Sequence, residues 1–317
     1  MILVTGGTGL VGSHLLFQLL QNSTETIRAI HSQDSNLEHV LSVFKLYDEE
    51  QAEKLFEKID WVEANILDIP LLSDAFKGIT HVYHCAGFIS YDVRDAKIMR
   101  RINIEGTANV VNLCLHHDIK KLCHVSSIAA IGSTINDKPI TEDTVWNPEL
   151  SHSHYAWSKY GGEELCKLYS SIYDLNTSIC RFYNVYGPNQ ISKGEMATII
   201  GIFEEHYKKN KPLPVVKPGS QSRRFTHIQD TIEVCFKAWK ENKCRHCSIS
   251  NKKSYSVLDV AKMFNSKIRF LSPRRGERYA SALTNMNLSN KVHKLFGKKD
   301  LKDYVQTFIN KMDNCLL

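Results

Sequence analysis

The chain has 317 residues, 43% apolar and 23% charged, with 40 Lys and Arg against 34 Asp and Glu for a net charge of +6. That length supports about two domains with a sizeable core, and the balanced composition excludes intrinsic disorder and fibrous repeats. The mild positive excess suits acidic small molecules better than nucleic acid, which calls for a concentrated basic stripe.

Short β-rich runs alternate with helical patterns through the first half of the chain. The pattern predicts a strand over Ile2–Thr5, a helix over Leu10–Gln21 and a strand over Thr26–His31, followed by an amphipathic segment near residues 37–58. Next come strand Asp60–Ala64, helix Leu71–Lys77, strand His81–Cys85, a long helix near Asp92–His116 and strand Lys121–Ser126. A second long helix near Ser153–Tyr173 leads to strand Ser178–Phe182. Strands alternating with helices give βαβ units, and right-handed crossovers make a doubly wound parallel sheet, an α/β fold, the expectation. After Tyr186-Gly187-Pro188 the prolines cluster at 188, 212, 214 and 218. There the strands shorten and helices near Ala197–Lys209, Ile228–Trp239 and Ser256–Phe264 intervene, which reads as a smaller α+β region. The expected division is a dinucleotide-binding domain over 1–182, with 226–245 returning to it, and a mainly substrate-binding region over 183–317.

No apolar run approaches the ~20 residues that cross a bilayer. The opening Met1-Ile2-Leu3-Val4 lacks the basic region of a signal peptide. Nine scattered Cys, including a lone Cys244-Arg-His-Cys247, suggest reduced thiols rather than a disulfide framework or a metal site. A cytoplasmic protein without metal, membrane or nucleic-acid partner is expected.

Active sites of open α/β sheets lie at the carboxyl ends of the strands, and the chemistry-bearing motifs fall there. Thr5-Gly6-Gly7-Thr8-Gly9-Leu10-Val11-Gly12 follows the first strand and opens the first helix, in both the G-x-G-x-x-G and the T-G-x-x-G-x-x-G spacing. Glycine lets the backbone turn tightly and a pyrophosphate approach, while the helix N-terminus holds the anion. The choice between NAD and NADP stays open. The second strand ends in Arg28-Ala29-Ile30-His31-Ser32, with Asp34 some residues beyond, without the acid at the strand end that would bond a ribose 2′-hydroxyl and without an Arg plainly in its place.

Tyr155 and Lys159 stand at i and i+4 near the start of the second long helix, one turn apart on one face. A free Tyr with pKa ~10 is a poor base at neutral pH. A neighbouring ammonium and an oxidised nicotinamide favour its phenolate, so that Tyr155 can take a substrate hydroxyl proton while hydride leaves. Ser126-Ser127 ends the fifth strand, where a hydroxyl could bond the same substrate oxygen.

Together these residues resemble the extended short-chain dehydrogenase/reductase family in its NAD-dependent epimerase/dehydratase branch, over nearly the whole chain. Further matching segments are His84-Cys-Ala-Gly87, Asn103-Ile-Glu-Gly-Thr107, Arg181-Phe-Tyr-Asn184-Val-Tyr-Gly-Pro188, Arg223-Arg-Phe-Thr-His227-Ile-Gln-Asp230 and Pro273-Arg274-Arg-Gly276-Glu277. The resemblance implies a Rossmann sheet with Ser127, Tyr155 and Lys159 as catalytic residues. It implies a dinucleotide held by Gly6, Gly9, Leu10, Val11, Gly12, His31, Ser32, Asn65, Ile66, Ala86 and Asn103 together with Tyr155 and Lys159. A nucleotide-diphosphate sugar would meet Ser127, Asn184, Arg223 and Arg274, the guanidinium forks matching phosphate oxygens. By analogy, the helices near 92–116 and 153–173 form a homodimer.

The departures also carry information. Family dehydratases place an Asp-Glu pair directly after the strand-end Ser or Thr, whereas Ile128-Ala129 follow Ser127 here, so water elimination lacks its acid and base. Asn65 stands where an Asp is usual, and Arg224 and Gln229 depart from the R-D-[FY]-x-H-V-x-D segment. Residues before about 150 look closer to reductase-like members, those after it closer to nucleotide-sugar epimerases. The expected function is an NAD-favouring nucleotide-sugar epimerase acting at C4. An NADP(H)-dependent reductase of a keto-sugar or small carbonyl compound is the alternative, and a dinucleotide-sensing regulator is disfavoured by the intact Tyr155 and Lys159.

Overall fold

The structure is a computed structural model that describes residues 1–131, 145–150, 153–194, 196–238, 245–272 and 297–314. Its centre is a seven-stranded parallel sheet in the order β11-β6-β5-β4-β1-β2-β3. These strands are β1 (Ile2–Thr5), β2 (Ile27–His31), β3 (Ile59–Glu63), β4 (His81–His84), β5 (Lys121–Ser127), β6 (Thr177–Phe182) and β11 (Arg245–Ile249). β1, β5 and β6 are buried along most of their length, as strands covered by helices on both faces must be, although β5 and β6 carry polar residues there such as His124, Ser126 and Arg181.

One face packs against α1 (Leu10–Asn22), α2 (Leu37–Tyr47), α3 (Ala52–Phe56) and α9 (Ile228–Ala238), with Leu15, Leu16, Phe44, Ile228 and Cys235 in its core. In that core the fully buried thiols of Cys123, Cys180 and Cys235 lie side by side, Cys123 and Cys180 with sulfurs 3.5 Å apart. The other face is covered by α4 (Ile69–Ala75), α6 (Gly106–His116) and α7 (His154–Tyr173), through Leu72, Val110, Val111 and Cys166. A third, separate core gathers Phe203 of α8 (Ile199–Lys208), Val215 of β8 (Leu213–Val216), Val260 of α10 (Val257–Met263) and Val305 of α11 (Leu301–Asn314).

The doubly wound expectation holds, and the differences are local. The 37–58 segment is two helices, broken where Asp48 leaves helical geometry. Helix α4 begins at Ile69 rather than Leu71, because the Asp68 carboxylate caps it by accepting from Leu71 N, with Pro70 in its first turn. The long helix expected near Asp92–His116 is a 3₁₀ turn (Val93–Asp95), α5 (Ala96–Arg100), a π turn (Arg101–Glu105) and α6. β11 and α11 were not anticipated. β11 extends the sheet beyond β6, in register from Arg245 against Ser178 to Ile249 against Phe182.

The strand order reverses at β1, which has β2 on one side and β4 on the other. Their carboxyl ends open a crevice there, with Thr5 in register with His84.

Candidate active site

The glycine turn is shaped by close approach. Gly6 has φ +66°, and a Cβ on it would lie 2.6 Å from Ala86 N, so the turn rests against the chain leaving β4. A Cβ on Gly12 would lie 2.1 Å from the Gly6 carbonyl oxygen, so α1 packs directly on the turn that precedes it. No side chain caps α1, whose N-cap is Gly9, which leaves its first N–H groups, at Leu10, Val11 and Gly12, to a ligand. Bare backbone around an uncapped helix N-terminus fits a dinucleotide pyrophosphate.

At the end of β2, His31 Nδ1 lies 3.1 Å from Ser32 O, and the ring meets Trp61 edge-on. Ser32, Ser35 and Thr8 gather their hydroxyls there, with Ser32 Oγ 3.0 Å from Ser35 Oγ and Thr8 Oγ1 3.4 Å from it. Asn65 Oδ1 accepts from Leu67 N, fixing the turn after β3. The Ile66 side chain is buried in the core, and its carbonyl accepts from Asn109.

His84 is buried between two hydroxyls. Thr107 donates to Asn103 O and therefore accepts from His84 Nε2 at 3.0 Å, which leaves Nδ1 to accept from Thr5 at 2.7 Å. Burial, with the charge of Lys159 adding to it, pushes the ring down to about 3 and keeps it neutral. His124 stacks obliquely on it at 5.3 Å, and both of its ring nitrogens are buried without a hydrogen-bond partner. Burial holds this ring well below the usual imidazole range.

Asn103 lies in the π turn, an element often found at functional sites. Its amide is engaged by protein groups, accepting from Phe88 N at 2.8 Å and donating to Phe88 O and to Ser158 Oγ. It thereby ties the loop after β4 to α7.

Helix α7 is capped by Ser153, whose hydroxyl accepts from Ala156 N, and presents Tyr155 and Lys159 to the end of β5. Both are buried, with 8% and 7% exposure, and Lys159 Nζ donates to Val125 O at 3.1 Å. Burial drives the ammonium down to about 8, opposed first by the Glu163 carboxylate. Burial raises the Tyr155 phenol, and a hydrogen bond with Ser127 pulls the other way. The structure thus brings Ser127, Tyr155 and Lys159 together. Tyr91, 63% exposed, sets its ring 6.4 Å from that of Tyr155.

Asn184, in the left-handed region at φ +39°, donates to Arg224 O, so the chain after β6 meets the segment that carries Arg223. Arg223 donates to Ser222 O. Arg274 lies outside the described residues. His227 of the same segment is buried against Tyr186 and Tyr304, and burial pushes it down to about 3.

One charged residue of this region escaped the sequence reading. Glu163 lies one turn beyond Lys159, fully buried, and accepts from Ser126 Oγ at 2.6 Å and from Arg181 at 2.9 and 2.5 Å. Its signal was present, since Tyr155, Lys159 and Glu163 recur at intervals of four on one helix face.

A glycine turn at the crossing of a doubly wound sheet, with a buried Tyr–Lys pair beside the neighbouring strand, is the arrangement expected from the resemblance to the short-chain dehydrogenase/reductases. The model of the NAD dependent epimerase/dehydratase family matches residues 2–249, and the chain belongs to that family. It is 31% identical over 328 residues, covering 99% of both chains, to a Methanocaldococcus jannaschii protein to which UDP-glucose 4-epimerase activity is ascribed. It is 29% identical to the UDP-glucose 4-epimerase of Mycolicibacterium smegmatis, over 74% of this chain and 72% of that one. The crystal structure of a UDP-glucose 4-epimerase from Thermotoga maritima with UDP-glucose superposes with a TM-score of 0.85 at 21% identity, covering 100% and 99% of the two chains, which shows the shared fold.

Proposed function

We propose that this chain is a nucleotide-sugar 4-epimerase that uses NAD without consuming it. The observation that carries the reading is the gathering of Ser127 with the buried Tyr155 and Lys159 at the end of β5, followed by Ile128 and Ala129 where water elimination would need an acid and a base. The full-length relative at 31% identity supports it.

Tyr155 takes the proton from the sugar 4-hydroxyl, and Ser127 holds the same oxygen by a hydrogen bond. The Lys159 ammonium favours the phenolate that Tyr155 must become, against the burial that opposes it. Bound NAD would supply the acceptor, and then the donor, of the hydride at C4. Tyr155 returns its proton to the 4-oxygen after the sugar has presented its other face. Asn184 and Arg223, with Arg274, hold the diphosphate while the sugar turns, because phosphate anchored at a distance leaves the ring free to rotate.

The hydroxyl cluster of Thr8, Ser32 and Ser35 just beyond β2 favours a second reading as an NADP(H)-dependent reductase on the same catalytic residues. Denaturing the purified protein, grown without added cofactor, and identifying the released dinucleotide by mass spectrometry separates the two. NAD⁺ approaching one per chain supports the epimerase. An empty protein that takes up NADPH selectively supports the reductase.

The exposed apolar residues Trp157, Leu168 and Ile172, at 45%, 49% and 59% exposure, form one stripe on α7. We assign this stripe to a homodimer contact.

A further inference from the structure

Around Lys159, the groups brought by neighbouring elements give little countercharge. His84 of β4 and His124 of β5 are neutral imidazoles, and the Cys85 thiol beyond β4 is raised to neutrality by its burial. Asn103 from the π turn contributes an uncharged amide, and Ser126 and Ser127 of β5 contribute hydroxyls. On α7 itself, Tyr155 and Cys166 are neutral in their ordinary forms, and Glu163 is a carboxylate. Arg181 from β6 faces the far side of that carboxylate.

We propose that Glu163 is a positioning residue for the reaction, a buried carboxylate that ties β5 and α7, the two elements carrying the catalytic cluster, to β6 and supplies the negative charge that counters the Lys159 ammonium. The proposal rests on the reading of Tyr155 and Lys159 as the proton-transfer pair. The clamp is visible in the hydrogen bonds. Glu163 Oε1 takes the hydroxyl of Ser126, the neighbour of Ser127, at 2.6 Å and Arg181 Nε at 2.9 Å, while Oε2 takes Arg181 Nη2 at 2.5 Å. One carboxylate thus joins the end of β5, β6 and the helix that carries Tyr155 and Lys159.

A purely structural role explains less. A buried ion pair stabilises weakly, since desolvation offsets most of its attraction, and a well-packed apolar pair commonly serves as well. An apolar pair could not place a charge one helical turn from Lys159. The Arg181 guanidinium fixes the carboxylate in its ionised state and in one orientation, so the charge at Lys159 is permanent. Without it, burial alone would act on the ammonium, and Tyr155 would lose the cation that favours its phenolate.

The test is the pH profile of kcat/KM for nucleotide-sugar conversion, with folding followed by thermal unfolding. In the wild type the alkaline limb reports loss of the Lys159 proton near pH 8. Glu163→Gln is expected to move that limb to lower pH by about one unit, the lower end of the effect of removing a nearby opposite charge. Because Glu163→Gln leaves Arg181 buried without its carboxylate, the double variant Glu163→Gln/Arg181→Met is measured as well, and its limb is expected to stay displaced. Glu163→Asp is expected to return the limb toward wild type. A limb that disappears in Lys159→Met but is unmoved in both glutamine variants overturns the proposal alone. A limb that persists in Lys159→Met belongs to another group and overturns the proton-transfer reading together with the proposal.

Discussion

Replacing Gly12 by alanine puts the contact between α1 and the glycine turn under direct load. The added Cβ would sit 2.1 Å from Gly6 O and 2.8 Å from Gly7 Cα, both backbone atoms that cannot rotate away. Ordinary contact begins near 3.4 Å, so the turn and the helix must separate by about 1.3 Å. Overpacking of this kind costs ~1–3 kcal/mol, which for a chain of this size lowers Tm by several degrees, at ~2–4 °C per kcal/mol. The same displacement moves the N–H groups that would face a pyrophosphate, and errors near 1 Å cost up to ~100-fold where geometry is demanding. Dinucleotide affinity by calorimetry should therefore weaken about 10- to 100-fold, equivalent to ~1.4–2.8 kcal/mol. Gly9→Ala makes the contrast, since its Cβ would lie 3.5 Å from Gly6 O, an ordinary contact. It should keep the wild-type Tm. A Gly12→Ala protein that melts with the wild type and binds the dinucleotide within twofold would refute the steric account of the turn.

Tyr155→Phe should lower turnover by ~100- to 10,000-fold, the usual span for a lost general acid–base group, while circular dichroism and Tm stay at wild-type values. Unchanged turnover would end the assignment of Tyr155. His14, His84 and His227 are buried and held neutral, at about 4, about 3 and about 3. Unfolding lets them take protons below their ordinary value of 6.5, so the unfolded state binds more protons and stability falls as pH drops from 6.5 toward 4. Each contributes a slope of up to ~1.4 kcal/mol per pH unit in that window, so a denaturation midpoint unchanged between pH 7 and pH 5 would contradict the burial of these rings. Ile172→Glu, on the exposed α7 stripe, should shift the protein from dimer to monomer in sedimentation velocity, and a wild type already monomeric would remove that contact.

What could be read from the sequence was local. Gly6, Gly9 and Gly12 announce a turn within eight residues, and Tyr155 and Lys159 announce a shared helix face within five. The alternation of short β-rich runs with helical patterns placed β1, β4, β5 and β6 within a residue or so of their observed ends, although only β1 is a continuous apolar run and β5 and β6 carry Lys121, His124, Ser126 and Arg181 inside them. The π turn at residues 101–105 left no such mark, since an extra residue in a helical turn changes the hydrogen-bond ladder and not the composition. β11, at Arg245–Ile249, carries too little apolar pattern to be read as a strand until β6 offers its edge. The pairing of Glu163 with Arg181 joins residues on a helix and a strand with a loop between them, and only the packing of α7 on the sheet brings them together.

The central claim is that hydride leaves one carbon of the sugar and returns to the same carbon from the other face. It is tested most directly with a nucleotide-sugar carrying deuterium at C4, followed by nuclear magnetic resonance without added cofactor. The account predicts a C4-inverted product that keeps its deuterium at C4. Washout of the label to solvent, or conversion that proceeds only while added NADPH is consumed in step, would contradict it.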